Sequence, residues 1–223
     1  MIVENVEIKS KPRRGDKILV LFLLSSFFIS CTPSQTTERS QFVTAYATSS
    51  AQPWMDDLFA CADELAIAIN VSAEEPDIYL RIGEPDTVLS PAFQIDEEEL
   101  LIVTHRESPV QNLSLEEAQA LFSGVGELSA SVWVYPSELD VQGVFDQFVM
   151  QGRSVTSSAR VAVNPQQMSD VLNSELDAVG ILPRHWKAGD VRDVYSVGTV
   201  PVLALTREEP AGAVASLISC LQK

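Results

Sequence analysis

Histidine is almost missing from this chain of 223 residues: only His105 and His185 occur, far apart. Neither stands at a metal-ligand spacing from a cysteine or carboxylate, so a zinc or related metal site has no support. Cysteine is scarce too, with three. Basic residues are outnumbered, 15 Lys and Arg against 31 Asp and Glu, for a formal charge of −16. The first 30 residues hold five Lys or Arg and three Asp or Glu, so the rest of the chain stands at −18. Such a surface repels nucleic acid and anionic lipid headgroups, which excludes nucleic acid as a partner. GxSxG, P-loop and GxGxxG motifs are absent, and no nucleophile is paired with a base. The chain reads as a non-enzyme without a cofactor.

What is present begins at the N-terminus. Lys9 to Lys17 is net basic, and ILVLFLLSSFFIS, Ile18 to Ser30, is an apolar run. It is shorter than the roughly 20 residues a membrane span needs. Basic flank, short apolar core and small residue before the cut describe an export signal. Phe28-Ile29-Ser30-Cys31 resembles a bacterial lipobox, with Phe28 where Leu is usual. Residues 1–30 are therefore expected to be a lipoprotein signal peptide and Cys31 the lipidated residue. TPSQTTERSQ, Thr32 to Gln41, has almost no apolar content and reads as a flexible tether over 31–41. The expected location is the outer face of a bacterial cell membrane, exported and lipid-anchored. The folded part begins near Phe42 and is one domain or two small lobes.

From there strands and helices alternate. QFVTAYA (41–47) alternates as a strand, and QPWMDDLFACADELAIAI (52–69) has helical spacing. Ser50 stands as its N-cap, Pro53 in the first turn, and Asp56 and Asp57 early. PDIYLRIG (76–83) and ELLIVT (99–104) predict strands. SLEEAQALFSG (114–124) is a marked helix, with Ser114 and Glu117 as a capping box and Gly124 at its end. SVWVY (131–135) is a strand and VQGVFDQFVMQG (141–152) a helix. ARVAV (159–163) is a strand, and Asn164-Pro165 opens a helix. DAVGILP (177–183), VRDVYSVGTV (191–200) and PVLALT (201–206) are three further strands, and PAGAVASLISCLQK (210–223) is the closing helix. The order argues an α/β architecture with mainly parallel sheets. Cys61 and Cys220 lie in apolar helical patterns, and two readings stand side by side: a disulfide in an exported chain, or two buried thiols. Trp54 and Trp133 read as core packing, and Trp186 as exposed.

SPVQNLSLEEAQALFSG, Ser108 to Gly124, closely resembles a segment of the phosphate-binding component of ABC transporters. Pro109, Val110, Leu113, Ser114, Leu115, Glu116, Leu121, Phe122, Ser123 and Gly124 carry the match. DAVGILP looks like that family's Ala-Ile-Gly-Tyr strand, VPVLALT its closing segment, and ATSSAQPWM its opening strand-to-helix turn. The resemblance covers most of residues 42–223. It implies a two-lobed type II periplasmic-binding-protein-like fold with mixed, mainly parallel sheets, and a ligand in the cleft. Lobe 1 would be 42–102 plus 190–223, and lobe 2 103–189. It also puts the first and last helices in one lobe, which favours a contact between Cys61 and Cys220. It implies a monomer that binds a small molecule or ion and serves an ABC permease.

One stretch departs from the family. In WVYPSELDVQGVFDQFVM the helix FDQFVM aligns, and Leu139, Asp140 and Val141 then stand where the family has Ser-Gly-Thr. Tyr135 falls near the position that usually supplies an Arg. An oxyanion site needs free N–H groups, small residues and preferably a cation. A carboxylate there repels phosphate in a partly dry cleft. The candidate ligand contacts are Thr48, Ser49 and Ser50 at the first turn, with N-capping as their plainer role, and Arg81, Tyr135, Ser137 and Asp140. Arg81 ends a strand where clefts of this architecture open; it pairs a ligand anion or makes a structural ion pair. Ser137 would cap the helix in a shifted alignment. Glu138, Asp140 and Tyr135 suit a neutral or cationic ligand, and Asp86 lies in a loop where some binders of that family place an acceptor for a protonated oxyanion. The expectation is an extracytoplasmic solute-binding lipoprotein whose ligand is not phosphate or is held atypically. The alternative is a degenerate binding-protein fold that works as a cell-surface interaction module without a small ligand.

Overall fold

Alternation sends one face of β1 (Phe42–Ala47) and β3 (Ile78–Ile82) into the core: Val43, Ala45, Ala47, Ile78, Leu80 and Ile82 are at most 1% exposed. The computed structural model describes residues 42–85, 87, 90–125 and 130–223. The segments expected to be signal peptide and tether (1–41, with Cys31) and Asp86 lie outside the described residues.

Among the described residues eight strands form a sheet in the order β2-β1-β3-β8-β4-β7-β5-β6. The remaining strands are β2 (Ala68–Val71), β4 (Ala92–His105), β5 (Ser131–Val134), β6 (Arg160–Val161), β7 (Ala178–Pro183) and β8 (Val191–Thr206). β4 and β8 are long and pair antiparallel from Ala92↔Leu205 to His105↔Val191. β3 joins β8 only over Val202–Thr206, and β7 joins β4 only over Leu100–Thr104. The outer pairs, β1 with β2 and β3, and β5 with β6 and β7, are parallel. Two parallel groups thus hang from opposite ends of one antiparallel pair.

Among the described residues five α-helices cover the sheet: α1 (Pro53–Glu64), α2 (Leu115–Ser123), α3 (Asp140–Phe145), α4 (Pro165–Ser174) and α5 (Gly212–Leu221). A π-helical turn, Asp146–Met150, prolongs α3. The capping box at Ser114 and Glu117 is formed, and Gly124 takes a left-handed φ of 70°. Cys61 on α1 and Cys220 on α5 are joined by a disulfide, with Cα atoms 5.9 Å apart. α4 sits close over β7 because Gly180 has no Cβ; one there would collide with Met168 Sδ.

Several sequence expectations need correction. The first helix stops at Glu64; Ala66 adopts a φ of 52° and Ala68–Val71 pairs with Phe42–Ala45. The Ala-Ile alternation there fits either period, and the open edge of β1 decides. Ser50 does not cap α1, whose N-cap is Gln52 without a side-chain bond. Residues 191–206 form one strand rather than two. Pro201 is tolerated because its carbonyl accepts from Gly83 N–H on the β3 side, beyond the last β3 pair, so the missing donor leaves the β4 ladder intact. Trp54 and Trp133 are buried, whereas Trp186 is half-buried and hydrogen-bonded.

Candidate functional site

The site is built where β1 and β3 end beneath α3. After Ala47 the chain turns: Thr48 N–H donates to the Leu80 carbonyl (3.0 Å), and Ala51 N–H donates to both the Thr48 carbonyl (3.1 Å) and Thr48 Oγ1 (3.2 Å). Trp186, on the short 3₁₀ turn Arg184–Trp186 that links β7 to β8, donates its indole N–H to the Ser50 carbonyl at 2.9 Å. The Thr48 and Ser50 hydroxyls are thereby fixed at the end of β1, both buried. β3 is followed by Gly83, whose φ of 72° and lack of a Cβ both matter: a Cβ there would lie 2.6 Å from Val144 Cγ2. α3 therefore rides directly over the end of β3 and delivers its first residue, Asp140, into the space below.

Asp140 is 7% exposed, and its carboxylate is fully engaged. Oδ2 accepts from Thr48 Oγ1 (2.7 Å) and from Ile82 N–H (2.8 Å). Oδ1 accepts from the Ser50 hydroxyl and from Val141 N–H (2.9 Å). Each oxygen takes one hydroxyl and one backbone amide, which uses all of the roughly four lone-pair positions of a carboxylate. Among the described residues no Lys, Arg or His forms an ion pair with Asp140. Neutral donors alone hold the charge, and it is felt nearby. Burial pushes the Tyr135 phenol well above its ordinary range, and the Asp140 charge adds to the rise. Burial and then Asp140 raise Tyr79 in the same way.

Above the carboxylate opens a polar hollow of about 610 Å³, lined by Arg81, Glu84, Ser137, Glu138, Asp140 and Gln147 among others. Arg81 Nε is buried there with no hydrogen-bond partner among the described residues, and the structural ion pair considered from sequence does not form with any of them.

The structure therefore brings together Thr48, Ser50, Arg81, Ser137 and Asp140. Tyr135 is a correction: it is 3% exposed and donates its hydroxyl to the Ile181 carbonyl at 2.7 Å, so it fastens β5 to β7 instead of facing a ligand. Ser137 caps nothing, because Leu139 is the N-cap of α3 and makes no side-chain bond; among the described residues Ser137 Oγ reaches only Glu138, at 3.4 Å. Ser49 makes no side-chain hydrogen bond among the described residues. His105 lies outside the hollow, its Nδ1 accepting from Glu107 N–H at 3.1 Å. Sequence reasoning missed the Ile82 amide, which has no side-chain signature, and Glu84 and Gln147, which resemble any surface residue. Ser50 beside Asp140 is not an acyl-transfer pair: the hydroxyl is wholly buried and the carboxylate has no free lone pair to act as base.

No protein-family model matches the chain, and no curated protein sequence matches it. Solved structures do. A protein from Clostridium perfringens described as a phosphate ABC transporter substrate-binding protein, with phosphate bound, superposes with a TM-score of 0.73 at 14% identity. The match covers 81% of this chain and 93% of that one. An ABC-type phosphate transport receptor from Vibrio cholerae gives 0.63 at 16% identity, again over 81% and 93%. The CcmR regulatory domain of Synechocystis, in complex with 2-PG, gives 0.60 at 9% identity over 82% and 96%. These likenesses are of fold, shared by transport receptors and a regulatory domain alike, and the fold of residues 42–223 is that of the type II periplasmic-binding proteins.

Proposed function

We propose that this protein is an extracytoplasmic solute-binding lipoprotein whose cleft takes a polar solute other than free phosphate. The observation that carries this is the Asp140 carboxylate, bound by Thr48, Ser50, Ile82 and Val141 and leaving a polar hollow open beside it. A second anion placed against Asp140 would meet like charge in a partly dry site. What remains for a solute is the wall of Arg81, Glu84, Ser137, Glu138 and Gln147, which offers carboxylates for a cationic or hydroxyl-bearing group and one guanidinium. In this reading residues 42–102 with 190–223, and 103–189, act as two lobes about the β4–β8 pair. An ABC permease is the partner, and lipidated Cys31 holds the domain at the membrane. The Cys61–Cys220 disulfide supports an oxidising, extracytoplasmic setting. The second reading, a surface interaction module without a small ligand, draws on the same four bonds, because they join α3 to the β1 and β3 ends and need no solute to do so.

Thermal unfolding of the unaltered protein against a panel of phosphate, sulfate, molybdate and neutral and cationic solutes tests this. A ligand at a hundred times its dissociation constant adds about 2.7 kcal/mol, a shift of several degrees. A shift with a neutral or cationic solute, lost in Arg81→Ala or Glu138→Ala, is expected. A shift with phosphate overturns the reading, and no shift with any solute moves the assignment to the interaction module. Cys31→Ser is expected to release the exported protein from the membrane fraction.

A further inference from the structure

The donors that hold Asp140 come from separate parts of the chain and do not depend on it for their positions. The Ile82 amide belongs to the end of β3, which is held in register against Val202 of β8. Thr48 is fixed by its own N–H to the Leu80 carbonyl and by the Ala51 amide. Ser50 is fixed through its carbonyl by the Trp186 indole. Two buried hydroxyls and one strand-end amide thus converge on a point where no Lys, Arg or His of the described residues forms an ion pair, and what they bind there is an oxyanion supplied by the chain itself. A preformed set of donors of this kind binds its anion whether or not that anion is covalently attached; the tether only raises its effective concentration.

We propose that Asp140 is a tethered ligand: its carboxylate occupies an oxyanion seat built by Thr48, Ser50 and the Ile82 amide, and the seat accepts a free small oxyanion once that side chain is removed. Formate and acetate fit first, because they present the same two oxygens. Sulfate and phosphate share the oxyanion chemistry and form the second arm of the test. In the unaltered protein the tether keeps the floor of the cleft closed to all four. The inference builds on the reading of this site as a binding cleft, but its outcome is separate. The solute panel uses the unaltered protein, whereas this inference is decided on Asp140 variants.

The experiment measures the thermal midpoint of full-length Asp140→Gly and Asp140→Ser in formate, acetate, sulfate and phosphate, with chloride at equal ionic strength as the control. The expected result is a saturable rise of several degrees in at least one oxyanion for the variants and none for the unaltered protein. Adding Thr48→Val and Ser50→Ala should weaken that response at least tenfold. If a variant does not fold in chloride, its refolding is measured in each anion, and recovery in an oxyanion supports the proposal equally. Equal responses of variant and unaltered protein, or variants that respond to no anion and are rescued by none, overturn it.

Discussion

At the scale of single residues, Asp140 shows how much depends on an acid rather than on a shape. Asn has nearly the same size but only one acceptor oxygen. Each Asp140 oxygen faces one backbone amide, Ile82 on one side and Val141 on the other, and an amide cannot turn round as a hydroxyl can. Asp140→Asn must therefore set its NH₂ against one buried N–H. The expected cost is about 1–3 kcal/mol, the usual penalty for a buried donor left without a partner. A urea titration reads it as a lower midpoint at unchanged slope. A midpoint equal to that of the unaltered protein would show that the four bonds do not hold in solution. The sequence made half of this legible. A carboxylate where the phosphate binders have Ser-Gly-Thr is visible in Leu139-Asp140-Val141, and so is its hostility to phosphate. Hidden from it was that Thr48 and Ser50, 92 and 90 positions upstream, close on that carboxylate. Tyr135 failed for the same reason: only the pairing of β5 with β7 turns its hydroxyl to Ile181.

At the scale of elements, the Arg184–Trp186 turn ties the β7–β8 crossover to the start of α1. Glu98 on β4 is 1% exposed and accepts from Arg184 N–H (2.9 Å), while its other oxygen lies 2.7 Å from His185 Nδ1. The His185 ring packs on Trp54 with centroids 4.6 Å apart, and Trp186 completes the link to Ser50. Burial raises the Glu98 carboxyl above its ordinary value of 4.5, against the pull of the His185 bond and charge and the Arg184 amide. The folded state then holds this proton more tightly than the unfolded chain does. Stability contributed by Glu98 is present below about pH 4.5 and is lost as pH rises through the raised folded value. Glu98→Gln keeps an acceptor for Arg184 N–H and removes the titration of this side chain. Its urea midpoint relative to the unaltered protein should climb as pH is raised from 4 to 7; a difference that stays flat with pH would refute the burial argument. This link is invisible in sequence because residues 98 and 184–186 meet only through the β4–β7 ladder. Caps are the opposite case: the Ser114–Glu117 box and the Asn164 cap are local chemistry, and both form as read. Ala68–Val71 and the unbroken β8 were misread because pairing partners, not local pattern, decide them.

At the scale of the whole molecule, one covalent bond spans nearly the entire folded chain. Cys61 and Cys220 are separated by 159 positions, and they fasten the first helix to the last. Closing so long a loop in the unfolded chain removes entropy worth about 5 kcal/mol on the loop-length relation, and measured disulfides more often give 2–4. A domain's total stability is about 5–15 kcal/mol, so this bond is a large share of it. α1 and α5 also pack against each other, α1 on β2 and α5 on β1 and β4, so reduction should loosen the domain without erasing the fold. Reductant is expected to lower the stability of the unaltered protein by about 2–5 kcal/mol, or about 2–4 °C of thermal midpoint for each kcal/mol. The paired variant Cys61→Ala, Cys220→Ala should start near the reduced value and ignore reductant, because it has no bond to lose. An unaltered protein that is equally indifferent to reductant, and no more stable than the paired variant, would mean that the two thiols face each other unjoined. The residues alone left those readings level, the family resemblance favoured a contact, and the packing of α1 on α5 puts the two sulfurs in one place.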